Sequence, residues 1–320
     1  MCACSCLRSQ TPLDGETVTL LSVIVLNWNT AHLLPACLDS VRSTAGHLDM
    51  DVWVVDNASA DGSLDFLRAH FPWVHLIANQ ENVGFAAGNN RAIAATEGEF
   101  VLLFNSDAIA TPGSIETLLA VAQAHPRAAI VGARLLNPDG TFQASWSRFP
   151  TLAREALIIS TLGRRLLGAR YPSAGPEIDL GPRSVDYVEG ACLLVRRSAI
   201  NQVGGLDEGY FMYAEEVDWS YSMHAHGWET WYAPDAAIIH LGGGSSRDRK
   251  PQREADLYRS RVRFFRKHYG ALHANSLKGL LYASTAFKAA AHGLLRLLTN
   301  SRRGRTVVSL RQLAQALHDV

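Results

Sequence analysis

Leu20 to Leu26 reads Leu-Leu-Ser-Val-Ile-Val-Leu, and Phe100 to Phe104 reads Phe-Val-Leu-Leu-Phe. Near-continuous apolar runs of this length predict strands buried on both faces. Each runs into a polar tip, the first into Asn27-Trp28-Asn29-Thr30 and the other into Asn105-Ser106-Asp107. Asp51 to Val55 repeats the pattern and ends at Asp56-Asn57, and Val74 to Ala78 is a shorter strand. Between these runs the spacing changes to that of helices. Residues 31–43 put Leu33, Leu34, Cys37, Leu38 and Val41 on one face, and a second helix runs from Ser63 to about His70. A third follows Asn82-Val83-Gly84-Phe85-Ala86-Ala87-Gly88-Asn89-Asn90. Strand and helix alternating through short polar links predict right-handed βαβ units, an α/β fold and a mostly parallel central sheet flanked by helices.

After Asp107 the rhythm loosens. A helix is expected from about Pro112 to Ala124, a strand at Ala129–Ala133, and a hairpin-type turn at Asn137-Pro138-Asp139-Gly140. Val185 to Val195 reads as one strand, and Thr230–Ala233 and Ala237–His240 as two short ones. Residues 151–170 form an apolar, basic insert, Gly242 to Ser246 a flexible loop, and the chain is helical and basic from Arg253 onward.

Of the 320 residues 48% are hydrophobic and 19% charged, enough apolar material for a sizeable core. Thirty basic residues balance thirty acidic ones, so no global field points to nucleic acid. Cys2, Cys4 and Cys6 crowd the N-terminus while Cys37 and Cys192 stand in apolar contexts, which fits neither a zinc pattern nor a disulfide framework. No signal peptide or membrane span is expected, and the reading is a reducing cytoplasm.

The strand tips carry the candidate chemistry. In open α/β sheets ligands bind beyond the carboxyl ends of the strands. Asp107 at such a tip can hold a divalent cation against a diphosphate, or Asn105-Ser106-Asp107 can simply form an Asx turn. Asp56 can accept the imide N–H of uracil or thymine, or it and Asn57 can cap a turn. Asn82 to Asn90 brings small residues to a helix N-terminus, as suits an anion, but matches neither the dinucleotide fingerprint nor a P-loop. Glu215, Glu216 and Asp218 crowd three acids into four positions among Tyr213, Val217 and Trp219. They suit a helix dipole, yet an apolar setting is a costly place for three acids, so at least one is expected to have a task. His240 ends a strand, where it is either structural or a ligand.

Val23-Ile24-Val25-Leu26-Asn27-Trp28-Asn29, Val54-Val55-Asp56-Asn57-Ala58-Ser59, the Asn82–Asn90 loop, Asn105-Ser106-Asp107 and Glu215-Glu216-Val217-Asp218 occur in one order. In this the chain resembles family 2 glycosyltransferases of the GT-A fold, and among them bacterial rhamnosyltransferase-like and galactofuranosyltransferase-like enzymes. The resemblance covers about residues 20 to 245. It implies inverting transfer of a sugar, first of all rhamnose, from a dTDP- or UDP-linked donor to a glycan or polyprenyl-linked acceptor in cell-envelope polysaccharide synthesis. It places Asn27, Asn29, Asp56, Asn57, Asn82, Gly84, Asn89, Asn105 and Asp107 on the nucleotide-sugar, and Mg²⁺ or Mn²⁺ on Asp107, with His240 completing the site. Asn105 replaces the first acid of the family's Asp-x-Asp. Glu216 stands where the family has the Asp general base, with Glu215 as its rival, and Gly190, Asp218 and Trp219 fall on the acceptor side. The two departures keep open an inactive sugar-nucleotide-binding relative. Paired carboxylates alone would also fit a glycoside hydrolase, but a hydrolase has no use for a nucleotide site.

Three parts are expected: a flexible tail at 1–18, a glycosyltransferase domain at 19–250 (nucleotide half 19–108, acceptor half 109–250), and a basic helical region at 251–320. From Ala271 to Val320 seven Lys or Arg face a single acid, Asp319. Leu277, Leu280, Leu281, Ala283, Phe287, Ala291, Leu294, Leu295 and Leu298 recur at helical spacing around Lys278, Lys288 and Arg296. The 151–170 insert mixes Leu157, Ile158, Ile159, Leu162, Leu166 and Leu167 with Arg164, Arg165 and Arg170. Basic amphipathic helices lie in the headgroup layer of anionic bilayers, so a peripheral place on the inner face of the plasma membrane is expected. The alternative is packing on the catalytic domain or on a second subunit of a homo-oligomer.

Overall fold

The computed structural model describes residues 19–160, 162–168, 172–173, 178–242, 250–299 and 309–320. Cys2, Cys4, Cys6, Arg170 and the loop from Gly243 to Ser246 lie outside the described residues. So do the side chains of Arg164, Leu294, Leu295, Arg296 and Leu298.

The first half follows the alternation read from the sequence: β1 (Leu21–Asn27), α1 (Leu34–Ala45), β2 (Met50–Asp56), α2 (Ser63–His70), β3 (His75–Ala78), α3 (Gly84–Ala95) and β4 (Phe100–Asn105). These strands pair in parallel in the order β3-β2-β1-β4. Side chains alternate between two cores, as the period of two requires. Val23 and Val25 join Leu34, Leu38 and Val41 of α1 on one face, while Ile24 meets Ala86 and Ile93 of α3 on the other. Because both faces are covered, the strands stay mostly apolar until they leave the sheet, and the buried Ser22 of β1 accepts the Gly98 N–H at 3.1 Å.

The second half adds β5 (Ala108–Ala110), α4 (Ser114–Ala124), β6 (Ala128–Leu136), β7 (Trp146–Ser147), α5 (Leu152–Ile159), α6 (Leu162–Leu167), β8 (Arg183–Val185), β9 (Tyr187–Val188), β10 (Cys192–Arg196), α7 (Arg197–Val203), α8 (Glu215–Ala225) and β11 (Glu229–His240). Here the sheet becomes mixed. β10 inserts between β4 and β6, antiparallel to both, and β11 runs parallel to β6 and antiparallel to β5 and β8. Two expectations change. The strand expected over 185–195 is three pieces, with β9 leaving the main sheet to pair with β7. The two short strands at 230–233 and 237–240 are one, β11, whose register slips between Ala233 and Ala237, where Pro234 can donate no ladder hydrogen bond. The turn at Asn137 closes as expected, with Gly140 (φ 79°) donating to Asn137 O at 2.9 Å.

Three helices complete the chain: α9 (Lys250–Tyr269), α10 (Ala271–Thr299) and α11 (Leu310–Leu317). Gly270, at φ 84°, turns α9 back into α10. Val262, Phe264 and Phe265 of α9 and Leu277 and Leu281 of α10 share a third core with Ile159 of α5 and with Tyr210, Ala214 and Val217. Each such side chain contributes roughly 1.5–3 kcal/mol on burial, so the C-terminal helices are fastened to the segment that leads into α8. The apolar stripe of α10 is therefore divided. Leu277 and Leu281 face inward, while Leu272, Leu280 and Phe287 are exposed, as are Leu162, Leu166 and Leu167 of α6. Among the described residues no helix is long and apolar enough to cross a membrane.

Candidate active site

The carboxyl ends of β1, β2 and β4 stand side by side, since Asn27 pairs with Asp56 and Leu26 with Asn105. Beyond them opens a cleft of about 310 Å³. Leu26, Trp28, Asn57, Asn82, Gly84, Asn105, Ser106 and Asp107 line it from the sheet side, and Glu189, Gly190, Tyr213, Glu215, Glu216, His240 and Arg253 from the later half. Nine residues expected at the site thus meet in one space: Asn57, Asn82, Gly84, Asn105, Asp107, Gly190, Glu215, Glu216 and His240.

Six others are not among the residues that line it. Asn27 is fully buried; its Nδ2 donates to Asp56 Oδ1 at 2.7 Å and its Oδ1 accepts from Thr30. Asp56, 2% exposed, also accepts the Ser59 N–H at 3.0 Å, so one of its oxygens is tied to the end of β1 and the other to the loop after β2. Asn29 (φ 54°) accepts from Ala60 N. Asn89 donates to Phe85 O within α3. Trp219 is buried in the sheet core with its indole N–H on Gly204 O, and Asp218 is buried among Tyr210, Lys267 and His268. These side chains are spent on backbone and partner groups, so they shape the cleft rather than face it.

The sheet-side wall is tightly knit. Asn57 donates to Gly84 O at 3.0 Å and accepts from Asn79. Gly84, at φ 86°, lies against Phe211, where a Cβ would come within 2.4 Å of the carbonyl oxygen. Only glycine fits there, and the Phe85 N–H then reaches Phe211 O at 2.7 Å. The first turn of α3 is thereby tied to the segment that enters α8.

Asp107 and His240 come together because β11 ends beside β5. His240 pairs with Ala108, and the Leu241 N–H reaches Asp107 O at 2.9 Å. His240 Nε2 then lies 3.2 Å from Asp107 Oδ1. Gln143 holds the other side of the ring. Its Nε2 donates to Asn137 Oδ1 and His240 O, so its Oε1 is left to accept from His240 Nδ1 at 2.6 Å. With the proton on Nδ1, Nε2 presents a lone pair beside a carboxylate. That arrangement fits a divalent cation. Among the described residues no group of three or more metal-binding side chains exists, so a cation here would draw its other ligands from a bound diphosphate and water.

Three carboxyls share the later wall. Burial pushes Glu216 up to about 7. Burial and the charge of Glu216 raise Glu189 to about 8 and push Glu215 well above the usual range. Glu215 Oε2 is buried with no hydrogen-bond partner. The residues leading into them, Tyr213 (φ 73°) and Ala214 (φ 66°), are both left-handed, a conformation costly for side chains other than glycine. Glu189, Gln143 and Arg253 were not anticipated. Glu189 had a signal, an acid in the short run Tyr187-Val188-Glu189-Gly190-Ala191 that follows Asp186. Gln143 and Arg253 had none, because they reach the site from distant parts of the chain.

The family model for Glycosyl transferase family 2 matches residues 22–204. The N-acetylglucosaminyl-diphospho-decaprenol L-rhamnosyltransferase of Mycobacterium tuberculosis is 34% identical over 239 residues, which is 69% of this chain and 76% of the relative. The low-salt glycan biosynthesis hexosyltransferase Agl10 of Haloferax volcanii is 29% identical over 221 residues, 68% of this chain and 64% of the relative. Two solved structures share the fold. A mannosyltransferase from Pyrobaculum calidifontis in complex with GDP-Man and Mn²⁺ has a TM-score of 0.54 at 19% identity, covering 88% of this chain and 81% of that one. GalNAc-T7 with UDP, GalNAc and Mn²⁺ has a TM-score of 0.58 at 15% identity, covering 94% and 57%. The ordered strand tips and the cleft beyond them are those of a GT-A fold, and the chain belongs to glycosyl transferase family 2.

Proposed function

We propose that this glycosyltransferase moves a rhamnosyl group from a dTDP- or UDP-linked donor to a hydroxyl of a polyprenyl-linked glycan, with inversion at the anomeric carbon. The observation that carries the reading is the meeting of the Asp107–His240 pair and the Glu215–Glu216 pair in one cleft. The name of the mycobacterial relative specifies both an L-rhamnosyl group and a decaprenol-linked acceptor. In this reading the nucleotide half is 19–108, the acceptor half 109–250, and the helices from 251 onward brace them.

Asp107 and His240 would hold Mg²⁺ or Mn²⁺, which when bound neutralises the charge that develops on the leaving diphosphate. Glu216 takes the proton of the acceptor hydroxyl. As that oxygen bonds to the anomeric carbon, the bond from this carbon to the phosphate oxygen breaks on the other face and the nucleoside diphosphate leaves. General-base help of this kind is worth about 10²–10⁴-fold. A carboxyl at about 7 suits it, since the group is then ionised near neutral pH yet basic enough to accept a proton. The exposed leucines of α6 and Leu272, Leu280 and Phe287 of α10 provide an apolar face for a bilayer headgroup layer, with Arg165, Lys278 and Lys288 on the same helices. In this reading the enzyme works at the cytoplasmic face of the membrane, where its acceptor is anchored.

The test is a panel of nucleotide sugars, with Mg²⁺, with Mn²⁺ and with chelator, scored for release of nucleoside diphosphate in the presence of N-acetylglucosaminyl-diphospho-decaprenol. Metal-dependent release from dTDP-rhamnose supports the proposal. Binding of donors without any release points to the inactive sugar-nucleotide-binding alternative.

A further inference from the structure

Helix α9 lays a row of polar side chains along the 207–218 segment, which leads into α8. Arg253, Ser260, Arg263 and Lys267 recur at the spacing of one helical face. Three of them are spent on that segment. Ser260 Oγ donates to Met212 O at 2.9 Å, Arg263 Nη2 to Asp207 Oδ1 at 3.0 Å, and Lys267 Nζ to Asp218 Oδ2 at 2.8 Å. These bonds fix the helix in rotation as well as in place, and with it the direction in which its fourth polar residue leaves.

That residue, Arg253, reaches the cleft. Its guanidinium carbon lies 5.7 Å from the centre of the Tyr213 ring. Tyr213 is itself held between Met212, whose carbonyl takes the Ser260 hydroxyl, and Ala214, whose carbonyl takes the Asp218 N–H at 2.9 Å. A ring face attracts a guanidinium without a conventional hydrogen bond, so the five N–H donors remain for another partner. Arg253 is exposed and, among the described residues, forms no ion pair. Among the described residues that line the cleft it is the one Lys or Arg, while Asp107, Glu189, Glu215 and Glu216 bring carboxyls. An ionised carboxylate only accepts hydrogen bonds and repels an anion. The guanidinium is a rigid fork of donors that matches phosphate oxygens.

We propose that Arg253 is a diphosphate-binding residue: held over Tyr213 by the fixed face of α9, its guanidinium donates to phosphate oxygens of a diphosphate lying in the cleft. The inference rests on the transfer reading above. Two diphosphates meet in that reaction, the one that leaves with the nucleoside and the one that links a polyprenol to the acceptor sugar. Both present the same oxygens to the fork. The C-terminal helices therefore do more than brace the catalytic domain: they bring a cation to a cleft whose own strands supply acids.

The experiment measures equilibrium binding to full-length wild type, Arg253→Ala and Arg253→Lys with two pairs of probes. The nucleotide pair sets dTDP and UDP against dTMP and UMP. The lipid pair sets N-acetylglucosaminyl-diphospho-decaprenol against decaprenyl N-acetylglucosaminide, which lacks the diphosphate, both in detergent micelles. In at least one pair Arg253→Ala should weaken Kd for the diphosphate member by about tenfold or more and leave the other member little changed. A response in the nucleotide pair identifies the donor's diphosphate, and one in the lipid pair the acceptor's. Arg253→Lys keeps the charge without the fork and should recover part of the loss. Because the side chain is exposed, the Tm of both variants should match wild type. No loss in either pair, or an equal loss on both members of each, overturns the inference alone when wild type transfers rhamnose. Wild type that binds none of the diphosphates overturns the transfer reading and the inference with it.

Discussion

His240 Nε2 stands 3.2 Å from Asp107 Oδ1, and the proton that would spoil a metal ligand is drawn to the far side of the ring by Gln143. Replacing Gln143 with Leu leaves both ligands in place but frees the tautomer. Metal affinity, read by Mn²⁺ titration of the apoprotein, should fall about 10–100-fold. Asp107→Ala should remove binding altogether with the circular dichroism spectrum unchanged. Mn²⁺ affinity equal to wild type in both variants means the cation lies elsewhere.

Glu216→Gln retains shape and loses the proton acceptor, so donor should still bind while kcat drops by about two to four orders of magnitude. Wild-type transfer should climb as pH rises through about 7, because only the ionised carboxyl is a base. If Glu215→Gln is the dead variant and Glu216→Gln retains turnover, the roles of the two neighbours are reversed.

Asp218, in the first turn of the helix that carries Glu215 and Glu216, is gripped by Lys267 at 2.8 Å, His268 at 2.7 Å and Tyr210 at 3.1 Å. Lys267 also reaches Asp207 at 2.8 Å, and Arg263 joins it there. Removing the buried acid of such a cluster costs about 3–5 kcal/mol where both partners are buried, and less here because Lys267 keeps Asp207 and some water. Asp218→Ala should therefore lower Tm by several degrees and kcat with it, whereas Asp207→Ala lowers Tm less. The cluster also sets an acid limb. Burial opposes the charge of Asp207, but Lys267, the Gly209 N–H and Arg263 hold it at about 2. Its contribution is complete above its ordinary value of 3.8 and is lost as pH falls toward 2. Asp207→Asn should flatten the melting curve over that window.

Phe287 is 75% exposed, Leu272 77% and Leu166 68%, on helices whose described residues carry Lys or Arg and no acid. Wild type should float with vesicles of anionic lipid at low salt, and the combined change Leu166→Glu, Phe287→Glu should leave it at the bottom of the gradient with nucleotide binding intact. If flotation survives the double change, this face is not the contact; a concentration-dependent sedimentation shift lost in the variant would instead identify a dimer face.

The parallel half was legible because its signal is local. Val23, Ile24 and Val25 announce a strand without reference to anything else, and Ser63–His70 a helix. The mixed half was not, because β10 lies between β4 and β6 through pairings that no neighbouring residue encodes. Pro234 looked like an end of two strands and is a slip within one. At the site, Glu215, Glu216, Asp107 and His240 could be nominated from their places at element ends. Asp56 and Asp218 look the same in sequence and are buried, since burial depends on what packs over them: Asn27 and Ser59 in one case, Lys267 and His268 from fifty residues away in the other.

Tyr213 and Ala214 enter α8 in succession through left-handed backbone, each at a cost of roughly 1–2 kcal/mol that glycine would not incur. The chain thus gives up thermal robustness at the residue before its acids. Ala214→Gly should relieve that cost and melt higher, while letting the first turn of α8 swing and so widening the spread of Glu216 positions. A gain in Tm joined to a loss in kcat, with donor affinity unmoved, would mark this step as a place where durability and aim are set against each other.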